Sequence, residues 1–178
     1  MAEQATYERQ IAANANWNFA ANLWDIGFLT IGTGLVSRET IMPLLVSELT
    51  DSKIAIGLIP AIFSLGFLLP QLLTANFTER LRVNKPFVML LGGPGERGPY
   101  LLIGLAVWSL ARPAPGAALA AFYLLLATTA ASNGVATPAW YDMIAKVIPV
   151  ERRGLWSGLS RSLGALLGIA GGLASGEL

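Results

Sequence analysis
An all-α bundle of helices crossing a bilayer is the fold this sequence predicts, and three observations predict it. Of 178 residues, 54% are hydrophobic and 13% charged, with mean hydropathy +0.57, whereas a soluble domain carries about 25% charge. Long apolar stretches alternate with short polar ones along the whole chain. The basic residues gather in alternate polar stretches, as they do when those stretches are cytoplasmic.

Five spans follow in order. Residues 1–18 form a polar N-terminal segment on the cytoplasmic side, a short interfacial helix with Ile11 and Trp17 facing lipid. Glu3, Glu8 and Arg9, with no compact apolar region beside them, exclude a removable signal peptide. The first span covers about 19–46, long against the ~20 residues that a ~30 Å core needs, so it tilts or protrudes. The second, about 54–77, holds Pro60 and Pro70 and is expected to kink. The third, about 86–110, meets GGPGERGP at Gly92–Pro99, where glycine and proline break regular helix near the midplane. The fourth runs about 117–140 and the fifth about 155–178.

Charge fixes the orientation. Arg9, Arg80, Arg82, Lys85, Lys146, Arg152 and Arg153 fall on one side and Lys53 and Arg112 on the other, seven against two. The seven-residue side is cytoplasmic, with the N-terminus. Trp17, Trp24, Trp140 and Trp156 then lie toward the inner interface and Trp108 toward the outer. Arg38, Arg97 and Arg161 fall within spans. A chain ending inside a fifth span, without a basic or aromatic flank, reads as an incomplete one.

The absence of cysteine and histidine removes disulfides, thiol nucleophiles, the usual zinc sites and Ser-His hydrolysis, so an enzyme is not expected, nor a cofactor or metal. Twelve scattered basic residues and a net charge of +1 exclude the basic face that nucleic acid needs. Two motif matches carry nothing. Gly93–Gly98 spells G-x-G-x-x-G, but proline interrupts it and no strand precedes it. Asn76-Phe77-Thr78 spells a glycosylation acceptor on the cytoplasmic side.

Two polar stretches carry a resemblance. Between spans two and three stand Ala75, Glu79, Arg80, Asn84, Lys85 and Pro86; between four and five stand Asp142, Pro149, Arg153, Gly154 and Gly158. The first set resembles, in degenerate form, the glycine, acid-base pair and basic run of the major facilitator superfamily of secondary transporters. The second resembles that family's D...P...RG...G pattern more closely. The resemblance covers nearly the whole chain as spans one to five of a twelve-span fold. It implies a cytoplasmic-membrane permease moving a small solute, with or without a coupling ion, by rocking against a second half that this chain lacks. Glu79, Arg80, Lys85, Asp142, Arg153, Gly154 and Gly158 would then be cytoplasmic gate and loop residues. Ala130 stands where many proton-linked members carry an arginine, four residues before Gly134. Gly164, Gly168, Gly171 and Gly172 resemble an antiporter motif with Ile169 in place of its proline; close helix packing at Gly164, Gly168 and Gly172 explains them equally.

Charges within a bilayer cost ~2.5–3.5 kcal/mol each on insertion scales and mark functional paths or partners. At about 100° per residue Asp25, Gly32 and Glu39 share a face of span one, with Asn18 and Asn22 close to it. Arg38 and Glu39 read either as cavity residues or as snorkelling charges at the outer interface. Asp25 and Arg161 are expected at similar depth, about 10 Å from the inner boundary, where they could pair. Adjacent Glu96 and Arg97 need separate partners, and Gln71 and Asn133 are hydrogen-bonding groups, either helix glue or solute contacts. The substrate or ion cavity candidates are therefore Asp25, Arg38, Glu39, Gln71, Asn133 and Arg161. A membrane scaffold or receptor-like relative that moves nothing is the competing function; retained intramembrane charges favour transport.

Overall fold
The computed structural model describes residues 2–78 and 84–176. Among them the chain is helical throughout, with short connections and no strand. The helices are α1 (Ala2–Ala13), α2 (Ala15–Leu35), α3 (Ile41–Leu49), α4 (Lys53–Thr78), α5 (Lys85–Leu90), α6 (Gly98–Leu110), α7 (Pro115–Val147) and α8 (Val150–Gly176), with a π-wound segment, Leu91–Arg97, joining α5 to α6. Two of them, α4 and α7, are long and apolar enough to cross a membrane by length and composition.

Three local outcomes differ from the sequence reading. Span one is not one helix: α2 stops at Leu35 and α3 starts at Ile41. Pro43 has no N–H to give the Glu39 carbonyl and its ring crowds that carbonyl, so a helix restarting at Ile41 cannot extend backward through 36–40. The 92–99 stretch is not a break. Through Arg97 it winds as a π-helix and from Gly98 as α-helix, and Gly98 N–H reaches the Gly93 carbonyl five residues back, a wider turn that absorbs the donor missing at Pro94. The polar stretch from Asp142 to Gly158 is no loop either, because α7 continues to Val147 and α8 begins at Val150. Ile144 and Ile148 are buried there, which holds the last turns of α7, and Pro149 separates the two helices.

By its contacts the chain divides into two units, residues 1–37 with 144–178 and residues 38–143. In the first, α2 lies along α8. Arg152 donates to Asn16 Oδ1 at 2.6 Å; further along, Gly164 faces Thr30 and Gly34 faces Gly168. Both numberings rise together, so α2 and α8 are parallel. A Cβ added to Gly34 would lie 2.9 Å from the Gly168 carbonyl oxygen, which makes glycine the residue that permits this approach.

In the second unit α7 is the spine, with Ala118, Phe122, Leu126, Thr129 and Ala130 wholly buried along one face. Val46 of α3 and Ile59 of α4 are equally buried. α4 runs parallel to α7: the Tyr123 hydroxyl donates to the Ala55 carbonyl, Gly66 abuts Ala130, and Gly134 abuts Phe67. The run from Lys85 to Leu110 is antiparallel to α7, since Asn84 meets Ala139 and Asp142 while Gly95 meets Ser132 and Glu96 meets Thr129. The outward faces are apolar. Leu65, Leu68, Leu69, Leu72 and Leu73 of α4 and Leu101, Leu102, Leu105 and Trp108 of α6 are exposed.

Candidate functional site
Two polar side chains of α7, Thr129 and Asn133, meet Glu96 in the second unit. Glu96 sits about 16 Å into the run that begins at Lys85, inside the π-wound segment, and its side chain is half-buried. Asn133 of α7 donates its amide N–H to Glu96 Oε1. Thr137, one turn on, donates to the Asn133 backbone carbonyl at 2.7 Å and lies 3.2 Å from Asn133 Oδ1, which turns the amide nitrogen toward the carboxylate. Thr129, one turn before, donates to the Glu96 backbone carbonyl at 3.3 Å. Gly95 allows the approach: a Cβ there would stand 2.9 Å from Ser132 Oγ. Glycine and proline at 92–95 thus produce both the wide winding and the close contact that present Glu96 to α7.

A second charge belongs to the same unit. Arg38 lies in the gap between α2 and α3, half-buried, its guanidinium carbon 3.8 Å from the centroid of the Phe63 ring on α4, a cation–π contact. Tyr100, one turn past Glu96, is within electrostatic reach of both Arg38 and Glu96. The sequence names Arg38 and Asn133 as cavity candidates but does not join Asn133 to Glu96. Glu96 appears there as a charge in need of a separate partner, and Asn133 as a hydrogen-bonding group that serves either as helix glue or as a solute contact.

The remaining candidates spread out. Glu39 is exposed in the gap beside Arg38, and with α2 ended at Leu35 it no longer shares a helix face with Asp25. Gln71 is half-buried on α4, one turn past Phe67. Asp25 and Arg161 are both exposed. The α2–α8 register, Thr30 beside Gly164 and Gly34 beside Gly168, puts them within about one turn in height. Azimuth separates them: Asp25 precedes Gly34 by about two and a half turns, which is the opposite side of α2 from α8. The expected ion pair is therefore corrected. Asn18 and Asn22 stay on the Asp25 side of α2, and Asn22 donates to the Asn18 carbonyl at 2.7 Å.

At the other end of α7, Asn84 is buried and donates to Asp142 Oδ2 and to the Ala139 carbonyl. Arg153 of α8 donates through Nε to the Ile148 carbonyl at 3.1 Å and through its terminal nitrogen to the Ala145 carbonyl. It thereby satisfies orphan carbonyls at the end of α7 and places positive charge at the negative pole of that helix. Lys85 is exposed at the first turn of α5. Gly154 and Gly158 face open space, whereas Gly164 and Gly168 pack on Thr30. Gly172 lies in α8 with its surroundings outside the described side chains, and Glu79 and Arg80 lie outside the described residues.

Ala130 also finds its reason here. Its side chain fills the space above Gly66, whose added Cβ would stand 2.9 Å from Ala130 Cβ. An arginine at 130 has no room between α4 and α7 at this separation. No family model, curated protein or solved structure matches this chain.

Proposed function
We propose that this chain forms five membrane spans of the N-terminal half of a secondary transporter of the major facilitator kind, with its N-terminus in the cytoplasm, and that it moves a small solute by alternating access. The spans are α2 with α3, α4, the run from Lys85 to Leu110, α7 and α8. A second half, supplied by further sequence or by another chain, completes the transport path.

The observation that carries this reading is the Glu96 carboxylate, held by Asn133 midway along two apolar helical runs. A scaffold that moves nothing has no need of an ionisable group at that depth, because charges within a membrane helix are costly and mark functional paths or partners. π-wound segments recur at functional positions, and this one carries the acid. Helix direction lends support: α2 parallel to α8, α4 parallel to α7, and the third run antiparallel to α7 are the relations that five successive crossings require. The exposed leucines of α4 and α6 suit lipid.

Proteoliposomes carrying the protein with its second half should show saturable uptake and counterflow of at least one solute from a broad panel, and Glu96→Gln should lower the initial rate at least tenfold. Inserted protein without saturable flux for any solute would refute transport. Vesicles carrying this chain alone are expected to show none.

A further inference from the structure
Three helical runs of the second unit share one spacing, a glycine four residues before a proline: Gly66 and Pro70 in α4, Gly95 and Pro99 in the run from Lys85 to Leu110, and Gly134 and Pro138 in α7. Each proline withholds the N–H that the glycine carbonyl accepts in an α-helix, and glycine is the residue with the freest backbone. The three pairs lie at one level. Gly66 abuts Ala130, Gly95 abuts Ser132 and Gly134 abuts Phe67, so the contacts fall between residues 130 and 134 of α7, about 6 Å of helix. Thr74 donates to the Pro70 carbonyl and Thr137 to the Asn133 carbonyl, both at 2.7 Å, and such back-bonds bend helices. Interrupted ladders and closest approach coincide as at a fulcrum, where bending arms leave the central contacts in place.

The two arms of α4 are held unequally. Toward Lys53, Ala55 and Ile59 are buried and the Tyr123 hydroxyl donates to the Ala55 carbonyl. Beyond Pro70 the arm exposes Leu72, Leu73 and Phe77, and residues 71–77 include none that is buried. It is seated at its tip, where Thr78 is buried and the Phe77 ring meets Phe87 at 6.0 Å between centroids. Across from it Ala136, Ala139 and Val88 are buried, and Asn84 bonds to the Ala139 carbonyl and to Asp142, which ties the start of the third run to α7. We infer that α4 is a hinged helix: its arm beyond Pro70 swings at Gly66 and Pro70 against the body that Asn84 joins, with the Phe77 and Phe87 rings as its latch. This goes beyond the transport reading, in which the arm is the gate on the Thr78 side, and it stands or falls without any solute.

The test is the distance between paired spin labels, read by double electron-electron resonance on the full chain in nanodiscs with no solute added. Asn76→Cys with Tyr141→Cys joins the α4 arm to α7, and Lys53→Cys with Arg112→Cys is the reference pair; all four positions are exposed. Asn76 stands about 15 Å beyond Gly66 at 1.5 Å per residue, so a bend of about 20° carries it by roughly 5 Å. The Asn76 to Tyr141 distribution should be broader than the reference by about that distance, or split in two. Phe87→Ala should move it toward the longer distances. Pro70→Ala restores the missing donor and should narrow it to the reference width, whereas Pro60→Ala, whose fourth residue back is Ile56, should leave it broad. A distribution as narrow as the reference with every proline in place overturns the hinge, and a width that Pro70→Ala leaves unchanged overturns its placement at Gly66 and Pro70. A broad distribution in a protein without flux for any solute supports the hinge and refutes transport alone.

Discussion

Replacing Gly134 by alanine is the sharpest perturbation of the packing that positions Asn133. A Cβ at Gly134 would lie 2.2 Å from the Phe67 carbonyl oxygen and 3.1 Å from Phe67 Cα. Both are backbone atoms of α4, so no side chain can swing aside. Ordinary contact near 3.5 Å requires the α4 and α7 axes to part by about 1 Å, and a gap of that size forfeits a quarter to a half of each dispersion contact along the seam. Overpacking of this kind costs about 1–3 kcal/mol, and we place Gly134→Ala at the top of that range, about 3 kcal/mol. For a chain of this size each kcal/mol moves the midpoint by roughly 2–4 °C, so thermal unfolding in detergent should shift down by roughly 6–12 °C. Gly104→Ala is the matched control. Gly104 lies in α6 with open space at its Cβ position, and alanine there should stabilise by up to about 1 kcal/mol through helix propensity. Equal midpoints for the two variants would refute the close approach of α4 and α7.

Two further substitutions probe the rest of the fold. Because Asp25 faces away from α8, Asp25→Asn and Arg161→Gln should act additively in a double-mutant cycle on thermal stability, with coupling below about 0.5 kcal/mol; a larger coupling would restore the ion pair. Arg153→Ala removes two hydrogen bonds to the end of α7 and should cost about 1–3 kcal/mol, while Arg152→Ala, which loses one exposed contact to Asn16, should stay within about 1 kcal/mol. Circular dichroism melts of both proteins check this, and equal melts would contradict the capping role.

The parts of this fold set by hydropathy were legible. An apolar run bounded by Lys53 and Thr78 became α4 within a residue at each end. Features that depend on one missing hydrogen bond were not. Hydropathy continues through Val36, yet Pro43 forces the gap that frees Arg38 from a helix, and Pro94 widens a run that read as broken. Depth along a helix follows from the 1.5 Å rise, which is why Asp25 and Arg161 fall near one level. Facing does not follow from depth, since a half turn separates contact from opposition. The Glu96–Asn133 bond joins positions 37 residues apart, and a pair on two helices has no signature in either stretch alone. Gly134 was visible as a glycine next to Asn133, but the Phe67 carbonyl that requires it is a tertiary fact.

Topology is the claim on which everything else depends, and the absence of native cysteine makes it directly measurable with single substitutions. Lys53, Arg112 and Lys146 are all exposed, the first at the start of α4, the second just before α7 and the third in the last turn of α7. In intact cells, Lys53→Cys and Arg112→Cys should react with a membrane-impermeant maleimide, and Lys146→Cys should react only after permeabilisation. Labelling of Arg112→Cys and Lys146→Cys from the same side would contradict the crossing of α7 and, with it, the five-span bundle.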